Sequence, residues 1–167
     1  MDGNYLVRLL EHNIWANEMI IQACASLKDD RLDAEPNSAT VGSIRSTLLH
    51  LVDSQRGYLA FLTLPIEVRR KNREPLAYSE LRSSARASGE GLLSLARKES
   101  NQPAHAQLES RDGYLIEPWV VMVQAINHAT EHREQIKSML TALGVTPPDI
   151  DGWAYGETKH AVVPKST

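Results

Sequence analysis

Between Pro118 and Gly144 the chain places Val121, Met122, Ala125, Ala129, Ile136, Met139, Leu140 and Leu143 on one side of a helix that turns about 100° per residue. Pro118 has the fixed φ that suits a first helical turn. Gly144 offers a C-cap, and Pro147 and Pro148 prevent continuation. An apolar stripe this long has to be covered by other helices, and three further segments supply them. The first, Tyr5 to Leu27, carries Tyr5, Leu9, Ala16, Ile20, Ala23 and Leu27 on one stripe. The second begins at Ser43, a good N-cap, and runs to Leu62 or Leu64, where Pro65 stops it. The third runs from Ser79 to Glu99 despite Gly89 and Gly91, each of which costs about 1 kcal/mol relative to Ala in a helix interior.

The connections are readable too. Lys28-Asp29-Asp30 is a solvated stretch, and Asp33 to Thr40 is a long polar loop. Asp112-Gly113, inside Gln107 to Glu117, signals a short hairpin. After Val145 the chain reads as irregular, and 161–167 as a frayed tail. These elements predict an all-α four-helix bundle over residues 1–160, a single domain with a long loop between its first two helices and a hairpin-like excursion before its fourth.

Composition narrows the partners. The chain has 167 residues, of which 42% are hydrophobic and 23% charged, as in ordinary globular domains. A chain of this size should bury roughly 70% of its unfolded surface without covalent staples. A net charge of -3 argues against nucleic acid or an anionic membrane as partner. Met1 to Asn4 lacks the order of a signal peptide, and no apolar run is as long as a membrane span, so a cytoplasmic protein is expected. Cys24, the single cysteine, excludes an intrachain disulfide and a Cys-rich zinc site. On the inward side of its helix it reads as a small hydrophobe.

The chemistry is carried by histidines. In the fourth helix His132 lies near the middle of the apolar stripe and His128 near its edge, while Thr130, Arg133, Lys137 and Thr141 are expected on the opposite side. Histidines four apart stand one turn above each other, so both rings can reach one ion. They can equally be core-edge residues bonded to polar neighbours, and a third ligand decides. In the second helix His50 sits on a separate stripe of mostly small residues, Ser43, Thr47, Ser54, Gly57 and Phe61, which leaves room for a cavity against a neighbouring helix. Three imidazoles suit a divalent metal, zinc or nickel first among them, and leave one coordination position open. Gln135, Glu131, Asp53 and Asn127 are the residues able to hold the free ring nitrogens.

Rival motifs fail. His128 to His132 spells H-x-x-E-H, but that pattern needs a distant glutamate ligand in a much larger domain. A di-iron bundle needs paired Glu-x-x-His motifs, and the only such spacing is Glu157 to His160. His12 is expected as a satisfied core-edge residue, the alternatives being that it lines the cavity or replaces a ligand, and His105 and His160 fall in loops. Trp153 and Tyr155 either fold over the open end of the bundle or simply pack.

Taken together, His12 to Glu18 in the first helix, Thr47 to Leu51 in the second, Asn127 to Ile136 in the fourth and the ending from Pro147 to Tyr155 resemble the DinB/YfiT-like metal-binding proteins. The H-x-x-x-H-R-x-Q-I pattern with an upstream Leu-His is the more specific part. The resemblance implies a four-helix bundle, often a homodimer, with a divalent metal on His50, His128 and His132. It also implies a thiol-dependent S-transferase that joins a low-molecular-weight thiol to a small electrophile. The same open position serves a hydrolase using metal-bound hydroxide, or a bundle that binds metal and ligand without turnover.

Overall fold

In the computed structural model, residues 4–36, 42–69, 74–99, 107–163 and 165 are described. Among the described residues six α-helices follow one another: α1 (Tyr5–Cys24), α2 (Asp29–Leu32), α3 (Ile44–Thr63), α4 (Leu81–Glu99), α5 (Pro118–Ala142) and α6 (Gly152–Thr158). A two-stranded antiparallel ribbon, β1 (Leu108–Glu109) and β2 (Leu115–Ile116), precedes α5, with Leu108 opposite Ile116. At its turn Gly113 takes φ +82°, a conformation open to glycine, as the Asp-Gly pair predicts. Asn4 and Ser43 cap α1 and α3 through their side chains. Gly144, at φ +72°, closes α5 with a bond from Val145 N–H to the Leu140 carbonyl.

The four long helices bury two apolar clusters. Ile20 of α1, Ile44 and Leu48 of α3, Leu81 of α4 and Ile136 and Leu140 of α5 meet at one end. Leu10, Leu92, Met122 and Ala125 meet at the other, with Tyr58, Leu59 and Leu62 packed against them. The grouping fixes the directions: α1 and α5 run one way, α3 and α4 the other. Each fully buried Leu, Ile or Met in these clusters stabilises the fold by about 2 kcal/mol. Between the clusters lies a belt of buried polar groups, Asn13, Asn17, Gln55, Ser88 and Arg133. The two helix-interior glycines are sites of close approach. A Cβ at Gly89 would stand 2.7 Å from Ile14 Cγ1, and one at Gly91 2.6 Å from Leu59 Cδ2.

Several expectations are corrected. Tyr5 and Leu9 are 80% and 50% exposed, and α1 instead buries Leu10, Asn13, Ala16, Asn17, Ile20, Ile21 and Cys24. Two asparagines occupy the middle of that face, so a stripe drawn through apolar residues alone comes out rotated. The stretch around Asp29 is a one-turn helix that buries Leu32. Arg133 is inside, at 2% exposure, not outward. The ending is not wholly irregular: Asp151 caps α6 by accepting from Trp153 and Ala154 N–H, each at 2.8 Å. His105, part of the long loop after Asp33, and part of the tail lie outside the described residues. No helix among the described residues is long and apolar enough to cross a membrane.

Candidate metal centre

Antiparallel packing of α3 on α5 brings residues 78 positions apart into contact, and His50 meets His128 and His132 there. Nε2 of His128 lies 3.2 Å from Nε2 of His50 and 3.1 Å from Nε2 of His132. The ring centroids are 4.3–5.1 Å apart. One ligand atom from each residue falls within 4.8 Å of the others, and among the described residues this is the one group of His, Cys, Asp or Glu side chains so arranged. The rings grade from core to solvent: His132 is buried at 6% exposure, His128 half-buried and His50 exposed. The cluster is therefore supported from inside and open on its outer side.

Protonation follows from the neighbours. His132 Nδ1 donates to Oε1 of Gln135 at 2.7 Å, which leaves its Nε2 as a lone pair. Burial, reinforced by His132 and His50, lowers the pKa of His128 to about 4. Burial and then His132 lower that of His50, against a smaller opposing pull from Asp53. Near neutral pH both rings are uncharged, the form that ligates a metal.

The donor set fits a metal. His128 Nε2 touches two other Nε2 atoms, one of them a lone pair, and a single ring proton cannot serve both contacts well. One cation accepting all three lone pairs resolves the conflict. Ligands about 2.0–2.1 Å from a tetrahedral ion stand roughly 3.3 Å apart, close to the two short separations here.

Of the four residues expected to support the ligands, Gln135 bonds His132 directly. Asp53 pairs with Arg56 at 3.2 Å and acts on His50 through its charge. Glu131 and Asn127 are exposed. His12 is bonded elsewhere: its Nε2–H donates to the Ile150 carbonyl at 2.9 Å, and its ring packs with Trp15 and Tyr155. Tyr155 thus lies on α1 beside His12, while Trp153 is 74% exposed. His160 follows α6 at φ 53°. Cys24 is wholly buried, and desolvation raises its pKa to about 12.

Two features escape a reading of the sequence. Tyr58 sets its ring edge-on to His128, centroids 5.7 Å apart; its place two turns beyond His50 was the available signal. Behind the centre, Arg133 donates from Nη1 to Oδ1 of Asn13 at 2.6 Å and of Asn17 at 2.7 Å, and from Nη2 to Thr130 Oγ1 at 2.9 Å. Both asparagines in turn donate to Gln55, which donates to the Ala85 carbonyl and to Ser88. The belt joins α1, α3, α4 and α5, and three of its members, Asn13, Asn17 and Arg133, stood unread in the motifs around His12 and His132.

Fold and cluster together define a helical-bundle protein with three histidines, drawn from two antiparallel helices, converging at one open-sided point. A model of the DinB family matches residues 1–163, and the chain belongs to that family. No curated protein matches it.

Proposed function

We propose that the protein is a metal-dependent enzyme holding zinc or nickel on His50, His128 and His132, and that it transfers a low-molecular-weight thiol to a small electrophile. The observation that carries the reading is the convergence of three Nε2 atoms on a point with one side towards solvent. Held by these residues, the ion would supply the Lewis acidity that lowers the pKa of an entering thiol or water. His132, held by Gln135, anchors the set from the core, and His50 forms its solvent edge. The thiol has to come from outside the chain, because Cys24 is buried and its raised pKa keeps it protonated. The reading includes a homodimer, for which exposed Trp119, Val120 and Val123 on α5 and Tyr5 and Leu9 on α1 offer apolar surface.

Metal analysis of the purified protein beside His128→Ala tests the centre. The expected result is near-stoichiometric metal in the first and a small fraction of it in the second; equal contents would remove the proposal. Titrating the cobalt-loaded protein with small thiols then tests the chemistry. A sulfur-to-cobalt charge-transfer band is expected, and hydrolysis without such a band would point instead to water as the nucleophile.

A further inference from the structure

On α3, His50, Ser54, Gly57 and Phe61 follow one line of the helix. Gly57 and Phe61 lie about 10 and 16 Å along the axis from His50. There they form one wall of a separate cavity of about 280 Å³, whose other walls are Arg69, Ser110, Arg111 and Asp112. The volume suits one end of a small molecule.

The lining is built for an oxyanion. The Arg69 guanidinium lies over the Phe61 ring, 4.2 Å from its centroid. Its Nε–H donates to the Leu64 carbonyl at 2.9 Å and its Nη1 to the Glu109 carbonyl at 2.6 Å. Those contacts fix the plane of the group and leave Nη2 without a protein acceptor among the described residues. Ser110, only 8% exposed, accepts the Tyr114 N–H at 3.0 Å, and its own hydroxyl hydrogen has no acceptor among the described residues. Arg111 and Asp112 complete the lining.

We infer that this cavity is the anion subsite of the same active centre: it takes the carboxylate or phosphate end of a small molecule whose reacting end enters the histidine cluster. The inference rests on the function proposed above and narrows its substrate class to anionic thiols or electrophiles long enough to span about 10 Å. Arg69 supplies the planar, preoriented donor pair, Ser110 a buried hydroxyl, and Phe61 an apolar wall for the connecting stem.

The test uses two thiols that differ at one end, 8-mercaptooctanoate and 8-mercaptooctan-1-ol, titrated into the cobalt-loaded protein by the charge-transfer band. The acid is expected to bind at least about tenfold tighter than the alcohol, in line with a charge-assisted hydrogen bond. Arg69→Met should abolish that preference and Ser110→Ala should reduce it several-fold, with affinity for the alcohol unchanged. Ser110→Ala removes a single hydroxyl, so it carries the test should Arg69→Met fail to fold. Equal binding of acid and alcohol, or a preference that survives both variants, overturns the subsite. Should neither thiol give a band, the thiol reading fails on its own, and octanoate against octanol on metal-free protein decides the subsite by calorimetry: an arginine-dependent preference supports it, and none overturns it.

Discussion

His132 and Gln135, one turn apart on α5, form a donor–acceptor pair of 2.7 Å in which the ring Nδ1–H is held by a carboxamide oxygen. The bond fixes the ring's tautomer and turns its lone pair towards His128 and His50. Gln135→Ala keeps all three histidines but frees the ring, so on the proposed function metal affinity should fall about 10- to 100-fold with little change in helicity. Gln135→Glu preserves the acceptor and should recover most of the loss. Competition against a chromogenic chelator measures both, and wild-type affinity in the alanine variant would show that the bond does not orient the ligand.

Acid should weaken the metal-free protein in a defined window. His128 titrates at about 4 in the folded protein against an ordinary value of 6.5. Above 6.5 neither the folded nor the unfolded chain takes up the proton. Between the two values the unfolded chain binds it and the folded one does not, so stability declines as pH drops through that window and levels off below it. His50, also lowered, acts in the same direction. Both rings are partly solvated, which keeps the loss below what full burial would give. Urea melts of chelator-treated protein from pH 7.5 to 4 should show this decline, reduced in His128→Gln; a flat profile would contradict the lowered pKa.

How far the sequence could be read depends on which side chains carry the pattern. The α5 stripe is written in apolar residues, and periodicity finds it together with His128 and His132. The small-residue line through His50 is a weaker signal, yet it too led to a member of the histidine cluster. The α1 face is different. Its centre is held by Asn13 and Asn17, whose burial makes sense only once Arg133 is known to point at them from α5. A rule that sends long cations outward cannot foresee a pairing 120 and 116 residues distant in sequence. The α6 helix was hidden for another reason: with seven residues and no buried side chain, it presents no stripe at all.

The Arg133 belt makes an ordered prediction about stability. The guanidinium, lowered to about 10 by burial, is still a cation at neutral pH, and its acceptors among the described residues are neutral oxygens. Removing it by Arg133→Met leaves two buried asparagine oxygens without their donor and should cost about 2–4 kcal/mol. Removing Asn13 and Asn17 together, as alanines, strands the charge and should cost more, about 3–5 kcal/mol. Urea denaturation of the two metal-free variants gives the order. The reverse order would mean that Arg133 finds other solvation when its partners are gone.

Gly89 offers the sharpest test of packing, because two known effects oppose each other there. Alanine is favoured over glycine inside a helix by about 1 kcal/mol. At this position, however, the new methyl would lie 2.7 Å from Ile14 Cγ1, an atom next to the branch point of a side chain that a helix holds in one rotamer. Overpacking of that kind costs about 1–3 kcal/mol, so Gly89→Ala should destabilise the protein on balance. At Gly91 the nearest atoms are the terminal methyls of Leu59, which is partly exposed and can turn aside. Gly91→Ala should therefore be nearly neutral or mildly stabilising. Combining Gly89→Ala with Ile14→Ala removes the obstructing atom, and the pair should be more stable than the sum of the single changes predicts. Thermal melts of the four proteins measure the coupling; additive effects would mean that α1 and α4 can separate slightly at no cost, and that the glycine is not there for close approach.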